Sequence, residues 1–192
     1  MKFVLASNNA HKLEEFKRIL EPMGHTIVPQ NEVCPPCEIE EDGETFRENA
    51  YKKAYGIYKL INMPTIADDS GLCVDYLNGA PGVYSARYSG MGSAENNKKL
   101  LRELDGVPKD RRTAKFVCSI CVVMGEGDIV EAEGECHGYI GFELRGENGF
   151  GYDPLFMVGD KSAAELPPEE KDKISHRGNA VKLLKEKLSQ RA

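Results

Sequence analysis

The sequence lacks long apolar runs, an apolar leader and an excess of basic charge, and each absence disfavours a class of protein. Its apolar runs are only a few residues long, whereas a membrane-spanning helix needs about 20. The apolar part of residues 1–7 is too short for a signal peptide. The net charge of −6 over 192 residues disfavours non-specific binding to nucleic acid. We expect a single cytoplasmic domain, residues 1–192, with neither a membrane nor a nucleic acid as its partner.

The six cysteines do not predict a zinc site or disulfide bonds. Four of them form two C-x-x-C pairs, Cys34 with Cys37 and Cys118 with Cys121. The second pair lies in a β-rich run, where residues three apart point to opposite faces and cannot bind one tetrahedral zinc ion. Disulfides are typical of exported proteins, and no export is expected here. Small buried or loop cysteines are the favoured interpretation.

The charges are unevenly distributed along the chain. Acidic residues concentrate at positions 38–48, whereas Lys and Arg are in excess from residue 161 onward. Either these segments are ordinary solvated faces, or they form the metal-binding and phosphate-binding parts of one site.

Periodicity and turn residues predict an α/β protein with a long mixed β-sheet and flanking helices. Strands alternate with helices in the first half, and two long strands joined by a turn at residues 125–128 follow. A Gly-, Pro- and Ser-rich connection is expected over residues 70–92. The predicted strands are residues 2–6, 25–28, 64–68, 112–124, 128–140 and 155–158, and the predicted helices are residues 10–20, 45–62, 93–104 and 176–190.

A first candidate site, residues 7–12, follows the first predicted strand. Asn8 or Asn9 can cap the next helix, and Glu15 is expected on the exposed face of that helix. Lys12 then lies in the first helical turn, where the helix dipole disfavours a cation unless an anion is bound. The backbone N–H groups there can bind a phosphate together with Lys12, but an ordinary capped helix explains the pattern equally well.

A second candidate group combines the acidic segment, Glu40-Glu41-Asp42-Gly43, with the helix after it. Thr45 and Glu48 predict a capping box at the start of that helix. Lys53 falls near the buried face of the helix and therefore needs an anionic partner. The partner is either a bound anion or a nearby carboxylate, Glu41 or Glu44.

A third candidate group lies where the strand at residues 64–68 is predicted to end. Asp68 and Asp69 are followed by Ser70 and by Gly71, which is expected to start a turn. Since adjacent strand residues face opposite ways, one Asp can face a ligand while the other faces the fold. Carboxylates without His or Cys suit Mg²⁺, which prefers oxygen ligands and keeps several waters. An Asp–Asp pair that only caps a loop is the alternative.

A fourth candidate group is the glycine-rich segment 148–154. Its glycines allow the backbone to approach a ligand closely, and Phe150 or Tyr152 can stack on a planar base. Aromatic side chains that pack in the core at a turn explain the composition almost as well.

A fifth candidate group, residues 171–178, leads into the last predicted helix, with Ser175 as its expected cap. Arg177 starts the buried stripe of that helix. A guanidinium there needs an acceptor, which is a phosphate, a base carbonyl or the carboxylate of a buried ion pair.

Taken in order, these segments resemble the inosine triphosphate pyrophosphatase family, the Ham1-like enzymes that act on non-canonical purine nucleoside triphosphates. The resemblance covers nearly the whole chain, although Ser7 stands where many members have threonine, and the C-x-x-C pairs lie outside the pattern. The motifs that carry it are Ser7-x-Asn9-x-x-Lys12, Glu41 ahead of Gly43 and Thr45-Phe46-x-Glu48-Asn49-Ala50, Ala67-Asp68-Asp69-Ser70-Gly71-Leu72, the run from Asn78 to Tyr88, Gly149-Phe150-Gly151-Tyr152-Asp153-Pro154, and Lys171 with Ser175-His176-Arg177.

The resemblance implies two lobes around a central cleft, as in ITPase-like and Maf-like proteins, and a homodimer. It also implies Mg²⁺-dependent hydrolysis of ITP, dITP or XTP to the monophosphate and pyrophosphate. By position, Glu41 and Asp69 would bind the metal and Asp69 would be the catalytic base, while a further metal contact of Glu40 or Asp68 stays open. The implied substrate-binding residues are Ser7, Asn8, Asn9, Ala10, His11, Lys12, Lys53, Ser70, Phe150, Gly151, Tyr152, Asp153, Lys171, His176 and Arg177.

The chemistry of a triphosphate agrees with the residues. Phosphoryl transfer needs charge neutralisation and positioning more than covalent help. Donors from His176 or Arg177 would pair with the 6-carbonyl of hypoxanthine or xanthine and not with the amino group of adenine, a difference of about 1–3 kcal/mol. Two alternatives stay open: a Maf-type enzyme for modified pyrimidine triphosphates, and a nucleotide sensor without turnover.

Overall fold

One mixed β-sheet organises the fold. The computed structural model describes residues 1–190, and the seven strands of its sheet lie in the order β2-β1-β3-β4-β5-β6-β7. The strands are β1 (Lys2–Leu5), β2 (Thr26–Pro29), β3 (Thr65–Val74), β4 (Thr113–Gly125), β5 (Asp128–Ile140), β6 (Phe156–Val158) and β7 (Lys161–Ser162). β1 pairs in parallel with β2 and β3, whereas β6 pairs in antiparallel with β5 and β7. The predicted α/β fold with a long mixed sheet is confirmed.

The helices are α1 (Ala10–Leu20), α2 (Phe46–Ile61), α3 (Ser93–Glu103), α4 (Pro168–Ile174) and α5 (His176–Ser189). α1, α2, α3 and α5 were predicted within one or two residues of their bounds. α4 was missed because its seven residues start with a proline and are mostly charged, so they show no apolar periodicity. No helix within residues 1–190 is both long enough and apolar enough to cross a membrane.

The chain divides into two compact units. Unit 1 consists of residues 1–69, 118–134 and 177 onward. Its strands bury side chains on both faces, in the alternation that a strand requires. Phe3 and Ile66 belong to a cluster that includes residues of α1 and α5, whereas Val4 and Ala67 belong to a cluster that includes residues of α2.

Cys118 and Cys121 of β4 follow the same alternation. Cys118 packs in the cluster with α1 and α5, and Cys121 packs in the cluster with α2. Their predicted placement on opposite faces of a strand is therefore confirmed. The other C-x-x-C pair, Cys34 and Cys37, brings its two sulfur atoms to 3.4 Å.

Unit 2 consists of residues 70–117 and 135–176 and has a core of its own. Leu72 and Val74 of β3 pack there with Leu100 of α3, Phe116 of β4 and Phe156 of β6.

The predicted end of β3 at residue 68 was wrong. The strand continues through Ser70 and Gly71 to Val74, and no turn begins at Gly71. The continuation has a physical cause, since Leu72 and Val74 alternate correctly and are fully buried in the core of unit 2. Asp68 and Asp69 therefore lie in the middle of a strand rather than at its carboxyl end.

Candidate functional site

The alternation of β3 directs Asp68 and Asp69 to different helices. Asp68 lies on the face of Ile66 and contacts α1 and α5, whereas Asp69 lies on the face of Ala67 and contacts α2. Both residues are buried. The prediction that these neighbours face opposite ways is confirmed.

Asp68 is the centre of a buried ion network. Its Oδ1 lies 3.1 Å from Lys12 Nζ, and its Oδ2 accepts a hydrogen bond of 2.9 Å from Arg177 Nη2. Burial by itself would raise the pKa of Asp68, but the cations of Lys12, Arg177 and Lys53 hold it well below its usual range. Asp68 is therefore ionised in the folded protein.

Glu15 completes the network, contrary to the expectation that it is exposed. It is buried and pairs with Arg177 Nη1, while Arg177 itself is 1% exposed. The sequence contains a signal for this position, because Glu15 follows Lys12 by three residues and so lies on the same helix face. The carboxylate acceptor considered for Arg177 is confirmed. Asp68 and Glu15 raise the pKa of Arg177 although burial lowers it.

Asp69 has the opposite electrostatic environment. Burial raises its pKa above the ordinary value, and the charge of Glu41 acts in the same direction. Lys53, the hydrogen bond from Asn49 and Lys12 act against the rise without cancelling it. A carboxylate with a raised pKa is a better proton acceptor than an ordinary one, as a general base requires.

Lys53 links Asp69 to the acidic segment. Its Nζ lies 2.8 Å from Glu41 Oε2, and its side chain is 13% exposed. The local salt bridge considered for this lysine is therefore present. Glu41 is half-buried while Glu40 is exposed, so Glu41 is the better placed of the two to act with Asp69.

The donors around Asp69 fit a hard divalent cation. Glu41 and Asp69 are close enough for the charge of one to raise the pKa of the other, and a cation would relieve that repulsion. Residues 1–190 contain no group of three or more His, Cys, Asp or Glu side chains that could hold a metal. Mg²⁺ does not need such a group, because it is usually held by one or two carboxylates, waters and substrate phosphates.

The segment 7–12 has the conformation of a capped helix start. Asn9 is the N-cap of α1 and accepts a hydrogen bond from Lys12 N, which decides between Asn8 and Asn9. Ser7 Oγ accepts from Asn9 N, and Asn8 Oδ1 accepts from Gln30 Nε2. Ala10 and His11 are exposed in the first turn. These contacts order the loop between β1 and α1.

In unit 2, Asp153 organises the glycine-rich segment. Its Oδ2 accepts from Phe150 N at 2.8 Å and pairs with Lys171 Nζ at 2.8 Å. Lys171, carried by α4, also lies 5.1 Å from the centroid of the half-buried Phe150 ring. Gly149 must lack a side chain, since its φ is +74° and a Cβ there would overlap the Asp153 carboxylate.

Tyr152 and His176 are both buried in unit 2. The Tyr152 ring belongs to the core, and its hydroxyl donates to Ser85 O at 2.7 Å. His176 stacks on Phe116 with the ring centroids 4.8 Å apart. Ser175, the expected cap of the last helix, ends α4. Ser70 is half-buried in β3, and Gly151 accepts a hydrogen bond from Asn97, a residue that the sequence patterns did not single out.

Known proteins resemble this chain over its whole length. The model of the Ham1 family matches residues 3–187. A Clostridium perfringens protein named dITP/XTP pyrophosphatase is 49% identical, over 97% of this chain and 97% of its own. A Bacillus subtilis protein of the same name is 48% identical, over 96% of each chain.

Solved structures of similarly named proteins also match this chain. The Ham1 protein of Staphylococcus aureus matches with a TM-score of 0.89 at 41% identity, over 100% of both chains. A structure from Mycobacterium abscessus, named nucleoside-triphosphatase and dITP/XTP pyrophosphatase, matches with a TM-score of 0.78 at 44% identity, over 96% of this chain and 97% of the other.

Proposed function

The chain belongs to the Ham1 family, and we propose that it hydrolyses the non-canonical purine nucleoside triphosphates dITP, XTP and ITP to the monophosphate and pyrophosphate. The names of its relatives support this activity. The observation that carries it is the buried Asp69, whose pKa is raised and which lies among Lys53, Asn49 and Glu41. Such a carboxylate can take a proton from water beside the cations that bind phosphates.

Glu41 and Asp69 would hold a divalent cation, and Mg²⁺ is the one that we propose. When bound, Mg²⁺ neutralises phosphate charge and lowers the pKa of a coordinated water. Asp69 is the general base for the attacking water.

Lys12, Lys53 and the backbone of segment 7–12 bind the triphosphate. The N-terminus of α1 offers N–H groups and a favourable dipole for an anion. Without a substrate, Lys12 pairs with Asp68 and Lys53 pairs with Glu41. The two lysine charges are therefore held near the carboxylates before a substrate arrives. This preorganisation reduces the cost of binding a highly charged ligand.

The remaining predicted residues are assigned to the rest of the nucleotide. His176 and Arg177 are assigned to the 6-carbonyl group of the base, which accepts hydrogen bonds, whereas the amino group of adenine at that position donates them. The other residues in this group are Ser70, Phe150, Gly151, Tyr152, Asp153 and Lys171. A homodimer and a cytoplasmic location complete the proposal.

A panel of pyrophosphate-release assays tests the function. We expect turnover of ITP, dITP and XTP in Mg²⁺ to exceed that of ATP, GTP and modified pyrimidine triphosphates, and to stop in EDTA. A preference for modified pyrimidine triphosphates would favour the Maf-type alternative. Equal turnover of ATP and ITP would contradict the assigned selectivity.

Asp69→Asn separates an enzyme from a nucleotide sensor. We expect the variant to bind ITP but to release pyrophosphate at least about 100-fold more slowly, the usual scale for the loss of a general base. Asp160→Asn, the same change at an exposed turn, is the matched control and should keep wild-type turnover. Near-normal turnover of Asp69→Asn would remove Asp69 from its assigned role.

A further inference from the structure

Asn49 uses both ends of its buried amide. It lies in the first turns of α2 and is 1% exposed. Its Oδ1 accepts a hydrogen bond of 2.8 Å from Gly43 N, and its Nδ2 donates one of 3.0 Å to Asp69 Oδ2. Asparagine is a weak helix former, and a buried amide without partners is unfavourable, so these two bonds account for its presence there.

The amide of Asn49 satisfies both of its neighbours. The N–H of Gly43 needs an acceptor, and the carboxylate of Asp69 needs a donor. These fixed roles determine which end of the amide faces which partner. An aspartate at position 49 would set two carboxylates against each other, and a leucine would leave both neighbours without this bond.

Gly43 fits the same arrangement because it lacks a side chain. A Cβ at Gly43 would lie 2.7 Å from Asn49 Oδ1 and 2.8 Å from Glu48 Cβ. Gly43 follows Glu41 by two residues, and Glu41 pairs with Lys53, one helical turn beyond Asn49. Through Asn49 and Lys53, the helix α2 therefore holds the acidic segment, and through Asn49 it also holds Asp69.

We propose that Asn49 is a positioning residue, which fixes the Asp69 carboxylate relative to the segment that carries Glu41, so that both carboxylates bind one divalent cation. The proposal rests on the proposed function for the cation site and for the task of Asp69. Asn49 acts through Asp69 and Gly43 and is not itself assigned to the substrate.

Asn49→Leu tests the role, since it keeps a similar volume and removes both hydrogen bonds. We expect the dissociation constant for Mn²⁺, measured by isothermal titration without nucleotide, to rise about 10- to 100-fold, the usual cost of losing a partner of a metal ligand. We also expect kcat for ITP to fall while KM changes little, because the lost bonds concern the reacting groups and not ground-state binding.

A second test variant, Gly43→Ala, and a control variant, Thr45→Ala, complete the experiment. Gly43→Ala disturbs the same hydrogen bond, between Gly43 N and Asn49 Oδ1, from the side of the loop. We expect it to weaken Mn²⁺ binding and to lower kcat even if Asn49→Leu does not fold. Thr45→Ala is the matched control, because it removes the cap hydrogen bond that Thr45 Oγ1 accepts from Glu48 N in the same helix without touching Asp69. It should lower the melting temperature and leave the Mn²⁺ affinity and kcat of the folded protein unchanged.

The outcomes separate this role from the proposed function. If folded Asn49→Leu and Gly43→Ala bind Mn²⁺ and turn over ITP as Thr45→Ala does, Asn49 has only a structural role and the inference is overturned. If the wild-type protein releases no pyrophosphate from any nucleotide of the panel, the proposed function fails. The Mn²⁺ affinities of the variants would then still decide whether Asn49 positions the two carboxylates.

Discussion

At the scale of single residues, Asp68 and Asp69 show that partners decide the direction in which the pKa of a buried carboxylate shifts. The two are neighbours of the same type, yet the pKa of Asp68 is lowered and that of Asp69 is raised. Burial raises the pKa in both cases. Asp68 has cations in direct contact from two helices, whereas at Asp69 the charges of Lys53 and Lys12 and the hydrogen bond from Asn49 do not cancel the effect of burial. The first residue is thus suited to structure and the second to proton transfer.

Asp68→Asn should destabilise the protein more than any exposed substitution. Removing the carboxylate leaves Lys12 without this ion pair and leaves Arg177 with Glu15 alone, and breaking a buried ion pair typically costs about 3–5 kcal/mol. Urea denaturation at pH 7 measures the loss in the free energy of unfolding. Asp160→Asn is the control, and a cost for Asp68→Asn as small as that of the control would show that the network contributes no net stability.

The same ion pairs predict how stability depends on pH. Because the pKa of Asp68 is lower in the folded state than in the unfolded state, its contribution is complete above the unfolded value, near pH 4. The contribution is lost as the pH falls below that value toward the folded pKa. In metal-free buffer, the wild-type protein should therefore lose its stability advantage over Asp68→Asn as the solution is acidified.

At the scale of elements, features that depend on residues near in sequence were predicted correctly, whereas features that depend on long-range packing were not. The capping box of Thr45 and Glu48 and the turn after Gly125 were confirmed, because a cap or a turn depends on residues a few positions apart. The end of β3 was wrong, since Leu72 finds its burial among distant elements of unit 2. Glu15 was misplaced for the same reason, because its partner Arg177 lies 162 residues away.

The glycine-rich segment carries a prediction of its own at this scale. Gly149→Ala introduces a side chain where φ is +74° and forces it against the Asp153 carboxylate, which orders Phe150 N and Lys171. We expect a loss of about 1–2 kcal/mol for the backbone and about 1–3 kcal/mol more for the overlap. Urea denaturation measures the loss, and the KM for ITP should rise because the Phe150 loop is displaced.

Gly159→Ala isolates the backbone part of that effect. Gly159 has a φ of +63° and no atom within 4 Å of a Cβ, so the variant carries conformational strain without the overlap. It should be destabilised less than Gly149→Ala and should keep the wild-type KM. Equal stability and equal KM in the two variants would mean that the contact between Gly149 and Asp153 has no consequence for the site.

At the scale of the whole molecule, each of the two units holds some of the candidate site residues. Unit 1 holds the ion pairs of Lys12 with Asp68 and of Lys53 with Glu41, and unit 2 holds Lys171 beside the Phe150 ring. The resemblance in sequence motifs named the residues of the candidate site. It did not reveal how they pair, because ion pairs such as Arg177 with Asp68 depend on which faces of strands and helices meet.

Binding of the substrate should stabilise the folded protein. A ligand that binds only the folded state adds about 2.7 kcal/mol at 100 times its dissociation constant, which corresponds to roughly 5–11 °C for a chain of this length. We expect this shift in the melting temperature from an ITP analogue with a methylene group between the α- and β-phosphates, measured by calorimetry in Mg²⁺. The shift should shrink in EDTA, because the phosphates then lack their cation, and should be smaller with the matching ATP analogue. An equal shift in EDTA would contradict the cation's part in binding, and an equal shift with the ATP analogue would place the discrimination between bases after binding, in the hydrolytic step.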